Sequence, residues 1–325
     1  MRAVNSVKPP ETRQVWAPLA LKVPLKAIGD GHGDEIITAA NTFWATVGAI
    51  AEVGAKPVFI DCDDTFGMNL DLLEGAITPR TKAIMPVQLT GNVIDMPRVN
   101  AIAAKHGLKV VEDACQSLYG EWQGRRAGSF GIAAGFSMHP LKIINVWGDA
   151  GIIVTNDDAV YDRMLQLHDH GRRADGEIIS WGLNSRLDNL QAAILDYRLD
   201  SYPAAIQRRR ELASLYEARL GEMRELTLPP GPHASVRHFD VFQNYEIEAE
   251  RRDALREHLK ARGIGTLVQW GGKAVHEFKA LGFTQSLPNT ERLFTRCLMI
   301  PMNLTVSDDD VRYVASTIRE FYGRV

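Results

Sequence analysis

One lysine stands in a proline-shaped turn. In Gly135-Phe136-Ser137-Met138-His139-Pro140-Leu141-Lys142 an apolar run gives way to that turn, and Gly148-Asp149-Ala150-Gly151 leads into the next apolar run. A lysine amine is nucleophilic only when deprotonated, so a site that uses one must lower its proton affinity or hold it as an imine. Once released, the same amine can carry a proton between two carbons. A second segment, Val110-Val111-Glu112-Asp113-Ala114-Cys115-Gln116-Ser117, ends an apolar run in a carboxylate and follows it three residues later with an amide. A third, Ala40-Asn41-Thr42-Phe43-Trp44-Ala45-Thr46, and a fourth, Gly182-Leu183-Asn184-Ser185-Arg186-Leu187, stand where a strand-like or irregular stretch meets a helical pattern. Singly, each residue has an ordinary explanation. Asp113 reads as a helix N-cap, Lys142 as a solvated loop lysine, Phe43 as core, and Ser137 and Asn184 as cap or turn residues. It is their combination that points to chemistry.

The elements that must position them alternate. Short apolar runs at 35–39, 57–61, 82–87, 109–112, 133–137 and 151–155 predict strands, and the stretches between them, including 46–53 and 96–106, predict helices, the latter stopped by Gly107. Fully apolar strands alternating with helices predict an α/β domain with a mainly parallel sheet covered on both faces, whose functional residues gather at the carboxyl ends of the strands. Beyond Asn184 the spacing of Leu187, Leu190, Ile194 and Tyr197 predicts a helix, with another at 204–220. After the break at Pro229-Pro230-Gly231-Pro232, a strand near 241–247 and a helix over 252–262 predict a smaller α+β unit. Residues 1–24, with four prolines and no persistent period, read as an irregular segment, which divides the chain into 1–24, a large domain over 25–202 and a small one over 203–325.

At the four segments, and again at Thr78-Pro79-Arg80-Thr81-Lys82-Ala83-Ile84 and Leu89-Thr90-Gly91, the chain resembles the sugar aminotransferases of the DegT/DnrJ/EryC1/StrS family, from about Gly29 to the C-terminus. The resemblance implies a type I, aspartate-aminotransferase-like fold, pyridoxal 5'-phosphate (PLP) as cofactor, and a homodimer with shared active sites. It also implies transamination of a nucleotide-linked keto sugar with L-glutamate as donor, in amino-sugar, polysaccharide or antibiotic biosynthesis. By motif position it makes Lys142 the Schiff-base lysine and Asp113 the partner of the pyridinium nitrogen. Gln116 becomes the amide near the ring's phenolic oxygen, Phe43 the aromatic on the cofactor face and Ser137 a phosphate-binding hydroxyl. Asn184 becomes the residue that reaches the neighbouring subunit's phosphate. His139, Trp270, Lys273 and His276 are candidates for substrate contact. Gly29-Asp30-Gly31-His32-Gly33 lacks the strand and ordered glycines of a dinucleotide fingerprint and reads as a helix-to-strand turn.

The chain departs from the family in one place. A Ser-Gly-Thr turn that cradles the cofactor phosphate is expected near Trp16-Ala17-Pro18; it is absent, and Pro18 offers no N–H. Truncation, a reading-frame error upstream of about Leu25, or divergence would produce that pattern, and an inactive or regulatory relative is the alternative it suggests. A dehydratase is disfavoured, because the dehydratase branch of the family has histidine at the lysine position. The bulk numbers fit a cytoplasmic enzyme. The 325 residues are 45% hydrophobic, which is enough for a sizeable core, and a net charge of -3 makes nucleic acid an improbable partner. No apolar run is long enough for a membrane span. Cys62, Cys115 and Cys297 have neither disulfide nor metal-ligand spacing, so no metal is expected.

Overall fold

A computed structural model describes residues 13–16, 19–29 and 31–324. Ala17, Pro18 and Asp30, which belong to the expected phosphate turn and the glycine-rich turn, lie outside the described residues, as do residues 1–12.

The large unit opens with β1 (Arg13–Trp16), α1 (Lys22–Ala27), β2 (Glu35–Ala39), α2 (Trp44–Glu52), β3 (Lys56–Ile60), β4 (Thr81–Met85), α3 (Met96–Lys105) and β5 (Lys109–Asp113). Two short strands, β6 (Glu121–Trp122) and β7 (Arg125–Arg126), precede β8 (Ala133–Ser137), β9 (Gly151–Thr155), α4 (Asp158–His168) and α5 (Asn189–Leu199). Seven of the strands form one sheet in the order β1-β9-β8-β5-β4-β2-β3. The five from β8 to β3 run parallel, while β9 pairs antiparallel with β8, and β1 with β9. Successive residues feed opposite faces: Ile37, Ile84, Val110, Ala134 and Ile152 enter one core cluster, and their chain neighbours Ile36, Ala83, Val111, Ala133 and Ile153 enter the other. Burial on both faces is why these strands read as unbroken apolar runs rather than alternating ones.

The segment read as irregular contains structure. β1 forms the sheet edge, and α1 buries Val23 and Leu25 in the core cluster that also holds Val160, Met164 and Leu167 of α4. Four prolines conceal both elements, because two of them flank short elements and Pro24 sits inside α1, at its third position, where its missing N–H is one the helix leaves unpaired anyway.

The rest of the chain runs through α6 (Tyr202–Leu220), β10 (Leu226–Thr227), β11 (His238–Phe239), β12 (Tyr245–Ala249), α7 (Arg252–Ala261), α8 (Pro288–Arg296), β13 (Cys297–Ile300) and α9 (Asp308–Phe321), which apart from β11 build the smaller unit. An antiparallel sheet, β10-β12-β13, shares a core with α6, α7 and α9. Helix α6 spans both units: Tyr202 and Ile206 pack into the large core, and Leu212, Tyr216 and Leu220 into the small one. The strand expected near 241–247 starts only at Tyr245. Residues 240–244 form a loop instead, with Phe242 at φ 48°, and β11 attaches its upstream end to β6.

Asp61, the residue after β3, joins the units. Its buried carboxylate accepts from the Asn289 N–H (2.9 Å), the Thr290 N–H (2.7 Å) and the Thr290 hydroxyl (2.7 Å), all in the first turn of α8. No side chain of α8's own N-cap residue, Leu287, does this. A carboxylate there satisfies helix N–H groups that lack intrahelical partners and complements the helix dipole. Replacing Asp61 with Ala is expected to cost about 2 kcal/mol or more, read as a lower urea midpoint; an unchanged midpoint would show that α8 docks without this cap.

Candidate active site

Glu112 and Asp113 are consecutive at the end of β5, so their side chains leave on opposite faces. Glu112 is fully buried and spent on structure: its carboxylate accepts the N–H groups of Gly128 (2.9 Å), Phe130 and Gly131 (both 2.8 Å), and burial raises its proton affinity. Asp113 is buried at the carboxyl end of the parallel strands. The Thr46 hydroxyl donates to Oδ2 at 2.6 Å and the Cys115 N–H to Oδ1 at 3.1 Å. Thr46 is in turn 2.7 Å from the Thr42 hydroxyl, one helical turn earlier. The backbone of Asp113 is locked as well, its N–H donating to Pro86 O and its carbonyl accepting from the Gln88 N–H, both at 2.9 Å.

Lys142 lies in the turn that follows β8. Its N–H donates to His139 O (2.8 Å), and its carbonyl accepts from Asn145 Nδ2 (2.7 Å). The Ser137 hydroxyl accepts the His139 N–H, and His139 Nδ1 accepts the Leu141 N–H, each at 3.2 Å. Cys115 reports how Lys142 and Asp113 are related. Burial pushes its thiol well above the usual range, the nearby Asp113 carboxylate pushes it further, and the Lys142 ammonium pulls it back.

The Gln116 amide is oriented by a bond from the Thr90 N–H to Oε1 at 2.7 Å, which turns its NH2 group away from that contact. Thr90 adopts φ 57°, unusual for a β-branched residue, and Gly91 follows at φ 109°, where a side chain would come within 2.7 Å of Asp240 Oδ1. Phe43, 39% exposed, sits at the start of α2 with its ring 6.2 Å from that of Trp270. Trp270 also faces Phe294 at 5.9 Å, while Lys273 is exposed.

His276 does not face open space. It is buried beside Phe59, with Nε2 3.3 Å from Glu291, in the seam between the units. Its place just after Gly271, Gly272 and Lys273 in the sequence concealed this burial. Asn184 is exposed and accepts from Arg186 Nε at 3.3 Å. Its neighbour Ser185 is buried and accepts the Leu19 N–H at 3.2 Å, which ties this segment to the start of α1. Gly182 makes the local fold possible, since a side chain on it would fall 2.1 Å from the Gly171 N atom. Thr46, Thr90 and Cys115 all lie within the motif segments, yet nothing in the sequence marked Thr46 and Cys115 as partners of Asp113 or Thr90 as the partner of Gln116. Among the described residues no cluster of His, Cys, Asp and Glu could hold a metal ion, and no helix is long and apolar enough to cross a membrane.

The model of the DegT/DnrJ/EryC1/StrS aminotransferase family matches residues 17–319. The chain belongs to that family. Curated relatives include a pleiotropic regulatory protein of Geobacillus stearothermophilus, 39% identical over 93% of this chain and 82% of its own length. Another is the UDP-2-acetamido-2-deoxy-3-oxo-D-glucuronate aminotransferase of Pseudomonas aeruginosa, 35% identical over 92% of this chain and 82% of its own. Among solved structures, DesV of S. venezuelae in complex with a ketimine intermediate superposes with a TM-score of 0.93 at 33% identity, covering 100% of this chain and 88% of that one. The aminotransferase therefore has the type I fold of PLP-dependent transferases, and its cofactor is PLP. The donor set fits that group: a buried carboxylate for a pyridine nitrogen, a lysine in the turn after the adjacent strand, an amide whose oxygen is held by Thr90, and a partly exposed aromatic ring at the start of α2.

The shared influence of Asp113 and Lys142 on Cys115 can be checked without cofactor. Alkylation of Cys115 at fixed pH should speed by about three- to tenfold in Asp113→Asn and slow by a similar factor in Lys142→Ala, following the thiolate fraction. Rates unaffected by either change would separate the two charges from the thiol.

Proposed function

We propose that this aminotransferase moves an amino group onto a keto sugar carried by a nucleotide, with L-glutamate as donor, and that its sites are shared between two subunits. The observation that carries the reading is the buried Asp113 carboxylate, held by Thr46 and the Cys115 N–H at the carboxyl end of β5, with the Lys142 turn following the adjacent strand β8. The names of the Pseudomonas relative and of others that act on UDP- or dTDP-linked sugars support the substrate class.

When bound, PLP supplies an electron sink that lets the amino-bearing carbon release a proton. The chain's own groups do the rest. Lys142 Nζ would hold the cofactor and, when free, would accept that proton and deliver it to the cofactor carbon. The Asp113 carboxylate, held by Thr46 and the Cys115 N–H, keeps a proton on the pyridine nitrogen. Gln116, its oxygen occupied by Thr90, has its NH2 free to donate to the phenolic oxygen. The Phe43 ring covers one face and excludes water. The Ser137 hydroxyl accepts from His139 through its oxygen, which leaves its proton free for a phosphate. His139, half of whose imidazole is committed to Leu141 N–H, together with Trp270 and Lys273 lines the approach of the sugar nucleotide.

The shared site rests on a surface. Trp181 is 90% exposed, Tyr197 84%, Trp147 76% and Leu190 67% on the segments around Asn184 and Lys142. Large apolar groups exposed together mark an association face, and a second copy there brings its Asn184 toward the first copy's phosphate site. A regulatory role without amino transfer is the second reading, favoured by the name of the Geobacillus relative.

Amino transfer from 15N-glutamate to UDP- and dTDP-linked 3-keto and 4-keto sugars tests the function: label is expected in one of the sugars, and Asp113→Asn is expected to lower the rate at least about a hundredfold. No labelled sugar from PLP-saturated, folded dimer would favour the regulatory reading. Mixing the inactive Lys142→Ala and Asn184→Ala variants should restore up to about a quarter of the activity under random exchange, because each hybrid dimer holds one intact site. No recovery from a demonstrated hybrid population would mean the site is built within one chain.

A further inference from the structure

The turn that bears Lys142 is exposed at His139, Pro140 and Leu141, the last 79% accessible, so little apolar packing holds it. Beyond the turn's own bonds at His139 O and Asn145 Nδ2, what ties it to the rest of the fold is one side chain from a hundred residues later. Gln243, buried, accepts the Ile143 N–H on Oε1 at 3.0 Å and donates from Nε2 to Leu141 O at 2.9 Å. These two contacts fix the peptide units on either side of Lys142, and a rotation about its φ or ψ that re-aimed the side chain would break one of them.

The loop that delivers Gln243 is itself over-determined. The buried Arg209 donates to the carbonyls of Phe242 (2.9 Å) and Gln243 (3.0 Å). Asp240 Oδ1 accepts the Phe242 N–H at 2.6 Å, which supports the left-handed backbone there, and Arg210 donates to Asp240 O at 2.7 Å. The Val241 and Asn244 N–H groups reach Gly91 O and Thr90 O, both at 3.4 Å. Thr90 in turn orients Gln116.

We propose that Gln243 is a positioning residue for the amino-transfer reaction: its amide clamps both peptide units flanking Lys142 and so aims the lysine amine. The proposal rests on the assignment of Lys142 as the reacting lysine, and its test is arranged to separate the two. Gln243→Met keeps the length and removes both hydrogen bonds; Gln243→Glu keeps an acceptor for the Ile143 N–H and loses the donor to Leu141 O. In the full chain without PLP, residue-resolved hydrogen exchange is expected to show the Ile143 amide of the Met variant exchanging about tenfold faster or more. The Val146 amide, bonded to Met138 O in the same segment, should keep its rate. The Glu variant should retain much of the Ile143 protection. With PLP, the Met variant should be trapped by borohydride at Lys142 about tenfold more slowly, and should lose about tenfold or more in kcat with a KM for the sugar nucleotide within about threefold of the parent, while Glu recovers part of kcat.

Unchanged exchange at Ile143, or unchanged trapping at Lys142, in the Met variant would overturn the proposal. Equal acceleration of Ile143 and Val146 would also overturn it, by showing a general loosening of the fold. If the parent chain transfers no amino group to any sugar, the substrate reading fails, while exchange and trapping still decide the role of Gln243. If the parent is not trapped at Lys142 at all, the lysine assignment fails, whatever the exchange shows.

Discussion

A carboxylate buried at the end of a parallel sheet must be satisfied by donors or it will not stay charged, and the site grows from that constraint at Asp113. Thr46 from α2 and the Cys115 N–H meet its two oxygens, and its own peptide groups bridge Pro86 and Gln88 on the adjoining chain. These bonds fix the end of β5 against the segment after β4 and draw the first turn of α2 inward, and with it Phe43 to the rim. Glu112, one residue earlier, serves the opposite face and fastens the loop that leads into β8, the strand that ends at the Lys142 turn. Two consecutive acidic residues thus divide the work: one holds scaffold, and the other is left at the strand end, where chemistry in open α/β sheets is found.

The small unit is part of this arrangement. Asp61 grips the first turn of α8, and Cys62, Phe66, Val87 and Leu89 pack with Leu293 and Cys297 across the seam. The 240–244 loop crosses from the other side and touches both the Thr90–Gly91 turn and the Lys142 turn. A movement of one unit against the other would strain the bonds that orient Gln116 and Lys142, so the two-unit build has a direct mechanical link to the site.

Much of this was legible in the sequence. Strands β2, β8 and β9 fall at the expected residues, because a strand buried on both faces leaves an apolar run with sharp polar ends. Strand β1 and helix α1 were concealed by prolines. The error at 241–244 has a different cause: Val241, Phe242 and Tyr245 are apolar enough to suggest a strand, but Asp240 and Arg209 bend the chain into a left-handed turn that no local pattern signals. At the site, Lys142, Asp113 and Gln116 stand out because they fall in the segments that resemble the family's motifs. Thr46, Cys115 and Gln243 do not, because they act through other side chains and peptides, and such partnerships exist only once the chain is folded.

Reduction of the PLP-treated chain with borohydride, followed by peptide mapping, tests the central claim most directly. A pyridoxyl adduct on the peptide containing Lys142, absent when the chain is treated without PLP, is the predicted result. A chain that is folded and PLP-saturated yet carries no adduct, or carries it on another lysine such as Lys273, would contradict the account.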